Sequence, residues 1–125
     1  MSIHILGVLL QTKAAIFQLI MNVLQKLVGL TLQKTEQVID YAQLYFSDGS
    51  ILNIYNRHDL VNCTLSSIQE DQLIYAVESD DKIELKFDGG GLLSVGMTDD
   101  DYNGPEAMDL NLADGNIVVW KGDDS

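Results

Sequence analysis

The stretch Leu44-Tyr45-Phe46-Ser47-Asp48-Gly49-Ser50-Ile51-Leu52-Asn53-Ile54 constrains the fold more than any other, because its pattern returns twice. It recurs as Leu85-Lys86-Phe87-Asp88-Gly89-Gly90-Gly91-Leu92-Leu93-Ser94-Val95 and, more loosely, as Leu110-Asn111-Leu112-Ala113-Asp114-Gly115-Asn116-Ile117-Val118-Val119-Trp120. Each copy has alternating apolar residues, a turn carrying Asp-Gly or Gly-Gly, and a second apolar stretch. This is the pattern of a β-hairpin with one buried face and a turn that must reach positive φ. Asp48-Gly49 therefore reads as turn chemistry, not as a carboxylate site.

The 125 residues suffice for one core and not for two. The expected organisation is a single domain, 1–125, of the α+β class: an N-terminal helix packed on a mainly antiparallel sheet built from the repeated hairpins. The helix is expected over about 12–28, where Ile16, Leu19, Ile20, Val23, Leu24, Leu27 and Val28 recur at spacings of three and four and Gly29 is a stop signal. Phe17 and Met21 widen its apolar face, which core packing explains and a homodimer contact also would. Residues 3–10 read as a strand or as the front of a helix. The β-rich region spans about 30–120, with Val38 and Ile39 as buried candidates, residues 73–77 near the middle of the sheet, Asn56-Arg57-His58-Asp59 in a loop, and a solvated tail from Lys121.

The net charge of −12 is unevenly placed. Residues 1–59 hold four bases and four acids, whereas residues 60–125 hold fifteen acids against Lys82, Lys86 and Lys121. An acidic pole repels phosphate backbones and steers basic partners toward itself, so direct nucleic-acid binding is not expected. Solubility alone is the competing explanation. Polar residues from Gln11 onward interrupt the early apolar run well short of a membrane span, and Met1-Ser2-Ile3-His4 lacks the basic start of a signal peptide. Cys63 is the only cysteine, which permits no intrachain disulfide and favours a cytoplasmic location.

Few residues carry chemistry. His4, His58 and Cys63 stand in no metal-binding spacing, and His58 beside Asp59 lacks a nucleophile. Asp99, Asp101, Asn103 and Gly104 match four positions of a calcium loop, but position 12 is Leu110 where a glutamate is needed. Neither a metal nor a cofactor is therefore expected, and no catalytic residue is assigned. The acidic loop 98–106 is where a basic protein partner is expected to dock, with Asp99, Asp100, Asp101, Tyr102 and Glu106 as the partner-binding residues.

With its second hairpin, its acidic loop and the run Gly104-Pro105-Glu106-Ala107, the chain resembles small acidic bacterial proteins of the toxin-immunity kind. The resemblance covers residues 30–120. It implies a non-catalytic module that binds a toxin domain and blocks its active site, an acidic loop taking the place of nucleic acid if the toxin is a nuclease. The alternative is a structural or regulatory oligomeric module.

Overall fold

The computed structural model describes residues 2–6 and 23–122. Its elements are ten strands, β1 (Ser2–Leu6), β2 (Leu32–Val38), β3 (Tyr41–Phe46), β4 (Ile51–Ile54), β5 (His58–Val61), β6 (Leu73–Glu78), β7 (Lys82–Phe87), β8 (Leu92–Gly96), β9 (Glu106–Asn111) and β10 (Ile117–Lys121), with a 3-10 turn at Asp99–Asp101. They form a six-stranded sheet, ordered β1-β10-β9-β4-β3-β2, and a four-stranded sheet, ordered β5-β8-β7-β6. Every pairing is antiparallel.

All three predicted hairpins form, and they share one turn. Phe46, Phe87 and Leu112 donate their N–H to the carbonyl four residues on, at 2.9, 3.0 and 2.8 Å, and accept the N–H of the glycine three residues on, at 3.0 Å each. Gly49, Gly90 and Gly115 sit at φ 95°, 95° and 94°. A side chain pays steric strain at that angle, so glycine sets both the turn and the register of the strands it joins. The apolar sites then fall on one face: Leu44, Phe46, Leu85, Phe87, Leu110 and Trp120 are buried in a core fed by both sheets.

The α+β expectation is corrected. Each sheet is closed by the other sheet, so no helix is needed to cover an open face. α-Helical structure among the described residues is confined to residues 23–25, followed by turn to Gly29 at φ 94°. Val23, Leu24 and Leu27 are buried there, and the expected helix from 12 to 22 lies outside the described residues. Three local expectations also change. Ile39 is 95% exposed at the two-residue turn between β2 and β3, residues 73–78 form an edge strand, and Asn56 is buried. Residues 2–6 are strand, which favours the strand reading for residues 3–6, while residues 7–10 lie outside the described residues.

The likeness of the first two hairpins extends far beyond the hairpins themselves. Residues 23–56 repeat as residues 64–97 at a constant offset of 41. Leu27, Leu32, Ala42, Leu44, Phe46, Leu52 and Ile54 are buried, and so are Ile68, Leu73, Ile83, Leu85, Phe87, Leu93 and Val95 at the matching positions. Both units carry a bulge, at Leu32/Lys34 and at Leu73/Tyr75. The units meet reciprocally: Leu32 N–H donates to Asp71 O and Leu73 N–H to Leu30 O, while Gly29 N–H donates to Leu73 O and Glu70 N–H to Leu32 O. The antiparallel bridge Thr31↔Gln72 lies between them. Such mutual contacts are the signature of a two-fold axis, here relating two halves of one chain. Glu70, at φ 74°, takes the strained place that Gly29 occupies in the first unit.

Candidate functional site

At one end of the six-stranded sheet is a cleft of about 220 Å³ lined by Asp40, Tyr41, Tyr55, Asn103, Gly104, Pro105 and Glu106. Three segments build it. The β2–β3 turn supplies Asp40 and Tyr41, the exit of β4 supplies Tyr55, and the loop entering β9 supplies the remainder. The β3–β4 pairing runs Ala42↔Ile54, so its continuation sets Tyr41 opposite Tyr55, with ring centroids 5.2 Å apart and planes tilted by 46°.

Tyr55 is fixed from both ends. Its N–H donates to Ala107 O at 2.9 Å, its carbonyl accepts Asn103 Nδ2 at 2.9 Å, and its hydroxyl donates to Asp109 Oδ2 at 2.5 Å. Asp109 Oδ1 accepts from Asn53 Nδ2 at 2.8 Å and Asn111 Nδ2 at 3.0 Å, the first made possible by the Asn53↔Asp109 register of β4 on β9. One carboxylate thus gathers three donors behind the cleft. Burial, then the bond to Asp109 and the charges of Asp109 and Glu106, push the Tyr55 hydroxyl well above the usual phenol range. Tyr55 therefore holds its proton and cannot act as a base near neutrality.

The sequence-predicted residues divide. Glu106 lines the cleft. Asp99 and Asp100 are exposed on the 3-10 turn. Asp101 turns back into the chain: its Oδ2 accepts Thr98 Oγ1 at 2.7 Å and Thr98 N–H at 3.0 Å, and its carbonyl accepts Arg57 N–H at 2.8 Å. The Thr98 bonds, with Arg57 assisting, hold its carboxyl below the ordinary range. Tyr102 is half-buried against the core. No family model, curated protein or solved structure matches the chain. The residues of the cleft therefore carry the functional reading alone.

Sequence reasoning did not assemble Asp40, Tyr41, Tyr55 and Asp109, since only the sheet register brings them together. The 41-residue offset would have marked three of them. Asp40 recurs as Asp81, but Tyr41 and Tyr55 fall on Lys82 and Gly96. The two units share their core and differ at this end.

Other candidates are accounted for in place. His58 Nδ1 lies 2.9 Å from Asn56 O, on a strand that points Asp59 elsewhere. Cys63 packs against the core, and its atoms lie 2.8 Å from where a Cβ on Gly91 would stand. Among the described residues no three His, Cys, Asp or Glu groups converge as metal ligands, and no helix is long and apolar enough to cross a membrane.

Proposed function

We propose that the protein is a non-catalytic binding module that docks a basic partner protein through the acidic end formed by the cleft and the neighbouring turn at Asp99–Asp101. One observation supports this most directly: the cleft joins two tyrosines to Asp40 and Glu106, with no lysine, arginine or histidine among its lining residues. Aromatic anchors beside uncompensated negative charge suit a cationic protein surface and disfavour phosphates. The cleft also lacks a nucleophile paired with a base, the minimum for covalent catalysis. An immunity-type role, in which the bound partner is a toxin, is the specific form of this proposal.

The test is affinity capture of the partner, followed by titration with purified components. The wild-type chain should give a stoichiometric complex that weakens with salt, as charge steering requires. Neutralising Asp40, Asp99, Asp100 and Glu106 together should weaken it at least tenfold. Failure to form any complex, or a complex indifferent to both salt and the four substitutions, would remove the proposal.

A further inference from the structure

The cleft has a counterpart in the second unit, and the counterpart is closed. Where Tyr55 stands in the first unit the second has Gly96, and a Cβ there would lie 2.2 to 2.7 Å from the atoms of the Asp101 carboxylate. The chain's own acidic turn therefore fills the space that the Tyr55 side chain takes in the first unit. Asp81, the counterpart of Asp40, accepts Met97 N–H through its carbonyl at 2.8 Å, and Asn56 reaches over to donate Nδ2 to Gly96 O at 2.7 Å. One copy of the same backbone recess is thus plugged, and the other is open.

The hydrogen bonds around the open copy are one-sided. Tyr55 spends its hydroxyl proton on Asp109, Asn103 spends Nδ2 on Tyr55 O, and Pro105 has no N–H while its carbonyl accepts Gly122 N–H at 3.1 Å. The carboxylates of Asp40 and Glu106 accept no hydrogen bond and pair with no cation among the described residues. What remains is richer in acceptors than in donors: two carboxylates, the Tyr55 oxygen lone pair and the Asn103 amide oxygen, against the Tyr41 hydroxyl and the second Asn103 Nδ2 hydrogen. A volume of about 220 Å³ is below the roughly 300–1,000 Å³ of metabolite pockets and suits one side chain.

We infer that this cleft receives the guanidinium of an arginine side chain carried by the partner protein, an inference that rests on the partner-binding reading above. Arginine is preferred to lysine for two reasons. Its planar head stacks on tyrosine rings and is weakly hydrated, and its five N–H groups can meet several acceptors at once, whereas an ammonium is a compact, strongly hydrated point charge. The tilt between Tyr41 and Tyr55 offers a planar group one ring to stack on and an edge to abut.

Amide NMR of the full chain, titrated with capped Gly-Arg-Gly and with its lysine and citrulline counterparts, tests this. The arginine peptide should produce saturable shifts at Tyr41, Tyr55, Asn103, Gly104 and Glu106. The lysine peptide should bind at least threefold more weakly, and citrulline, which keeps the shape without the charge, should give no saturable shift. Asp40→Asn with Glu106→Gln should abolish the arginine response while leaving the remaining amide positions in place; Glu106→Gln alone is the milder variant if the pair perturbs folding. Shifts equal for citrulline, centred on Asp99 and Asp100, or missing at millimolar peptide overturn the inference. If these peptides fail while salt-sensitive partner capture persists, the arginine assignment alone is lost. If the arginine response is present but no partner is captured, the partner reading alone is lost.

Discussion

Single side chains make sharp claims in this protein because several are buried with one partner or none. Ser50 is fully buried, and its N–H and hydroxyl both donate to Asp48, at 2.8 and 3.1 Å. Asp48 is thus more than a turn former. Asp48→Asn, which keeps one acceptor oxygen, should cost well under ~1 kcal/mol, whereas Asp48→Ala orphans a buried hydroxyl and should cost about 1–2 kcal/mol in chemical denaturation. Glu78 gives a pH signature. It shares the inward face of edge strand β6 with Ala76, and its carboxylate faces the indole N–H of Trp120 without closing a bond, so that Oε2 and Nε1 are buried with no partner. Burial raises its pKa, with the Trp120 N–H pulling the other way. The folded state therefore holds this proton more tightly than the unfolded chain, and stability from this group falls as pH rises from about 4.3, the unfolded glutamate value, through the folded one. Glu78→Gln, the residue the first unit carries as Gln37, should be more stable than wild type at pH 7, with the gap narrowing toward pH 4 in thermal melts. A gap that widens on acidification would refute this placement of the charge. Its inward position has a further sense, since a charge pointing inward from an edge strand discourages pairing with another chain.

At the level of elements, the hairpins were legible because glycine at a fixed offset marks each turn and leaves no other way to continue the chain. Strand β2 was harder. Ile39 has a side chain that reads as core, yet it occupies the first central position of a two-residue turn at φ 52° and is 95% exposed. Hydrophobicity misleads there because the β2–β3 register, Val38↔Tyr41, leaves only Ile39 and Asp40 to reverse the chain. A β-branched residue is strained at that angle, so Ile39→Gly should stabilise the protein by roughly 1 kcal/mol, a gain readable as a higher urea midpoint at unchanged slope. The helical periodicity before Gly29 suits a covering layer, and one sheet needs a cover. What covers it is a second sheet, and apolar spacing within one segment carries no information about that. Of the cleft, only the wall supplied by the loop 98–106 was legible, and of the residues named there only Glu106 lines it. Its tyrosines are placed by pairings between strands far apart in sequence, and the acidic run that stood out in the sequence is partly consumed, in Asp101, as the plug of the other unit.

The whole molecule is two similar units clasped about Thr31↔Gln72, each using its partner's backbone to satisfy the start of its own edge strand. Neither unit completes these bonds alone. The two sheets should therefore unfold in one transition, and the amides of Leu32 and Leu73 should exchange with the same free energy, close to that of global unfolding. Two separate transitions, or early exchange of one of the pair, would contradict the clasp. The two-unit design lets the proposed binding surface differ without disturbing the core: matched buried residues maintain both units, while the open end varies, with Tyr41 and Tyr55 in one and Lys82 and Gly96 in the other. The cleft is the central claim, and calorimetric titration of the captured partner tests it most directly. Asp40→Asn with Glu106→Gln should weaken the complex at least tenfold, and Asp99→Asn with Asp100→Asn should weaken it less. Affinity unchanged by the first pair, or lost only with the second, would contradict the account.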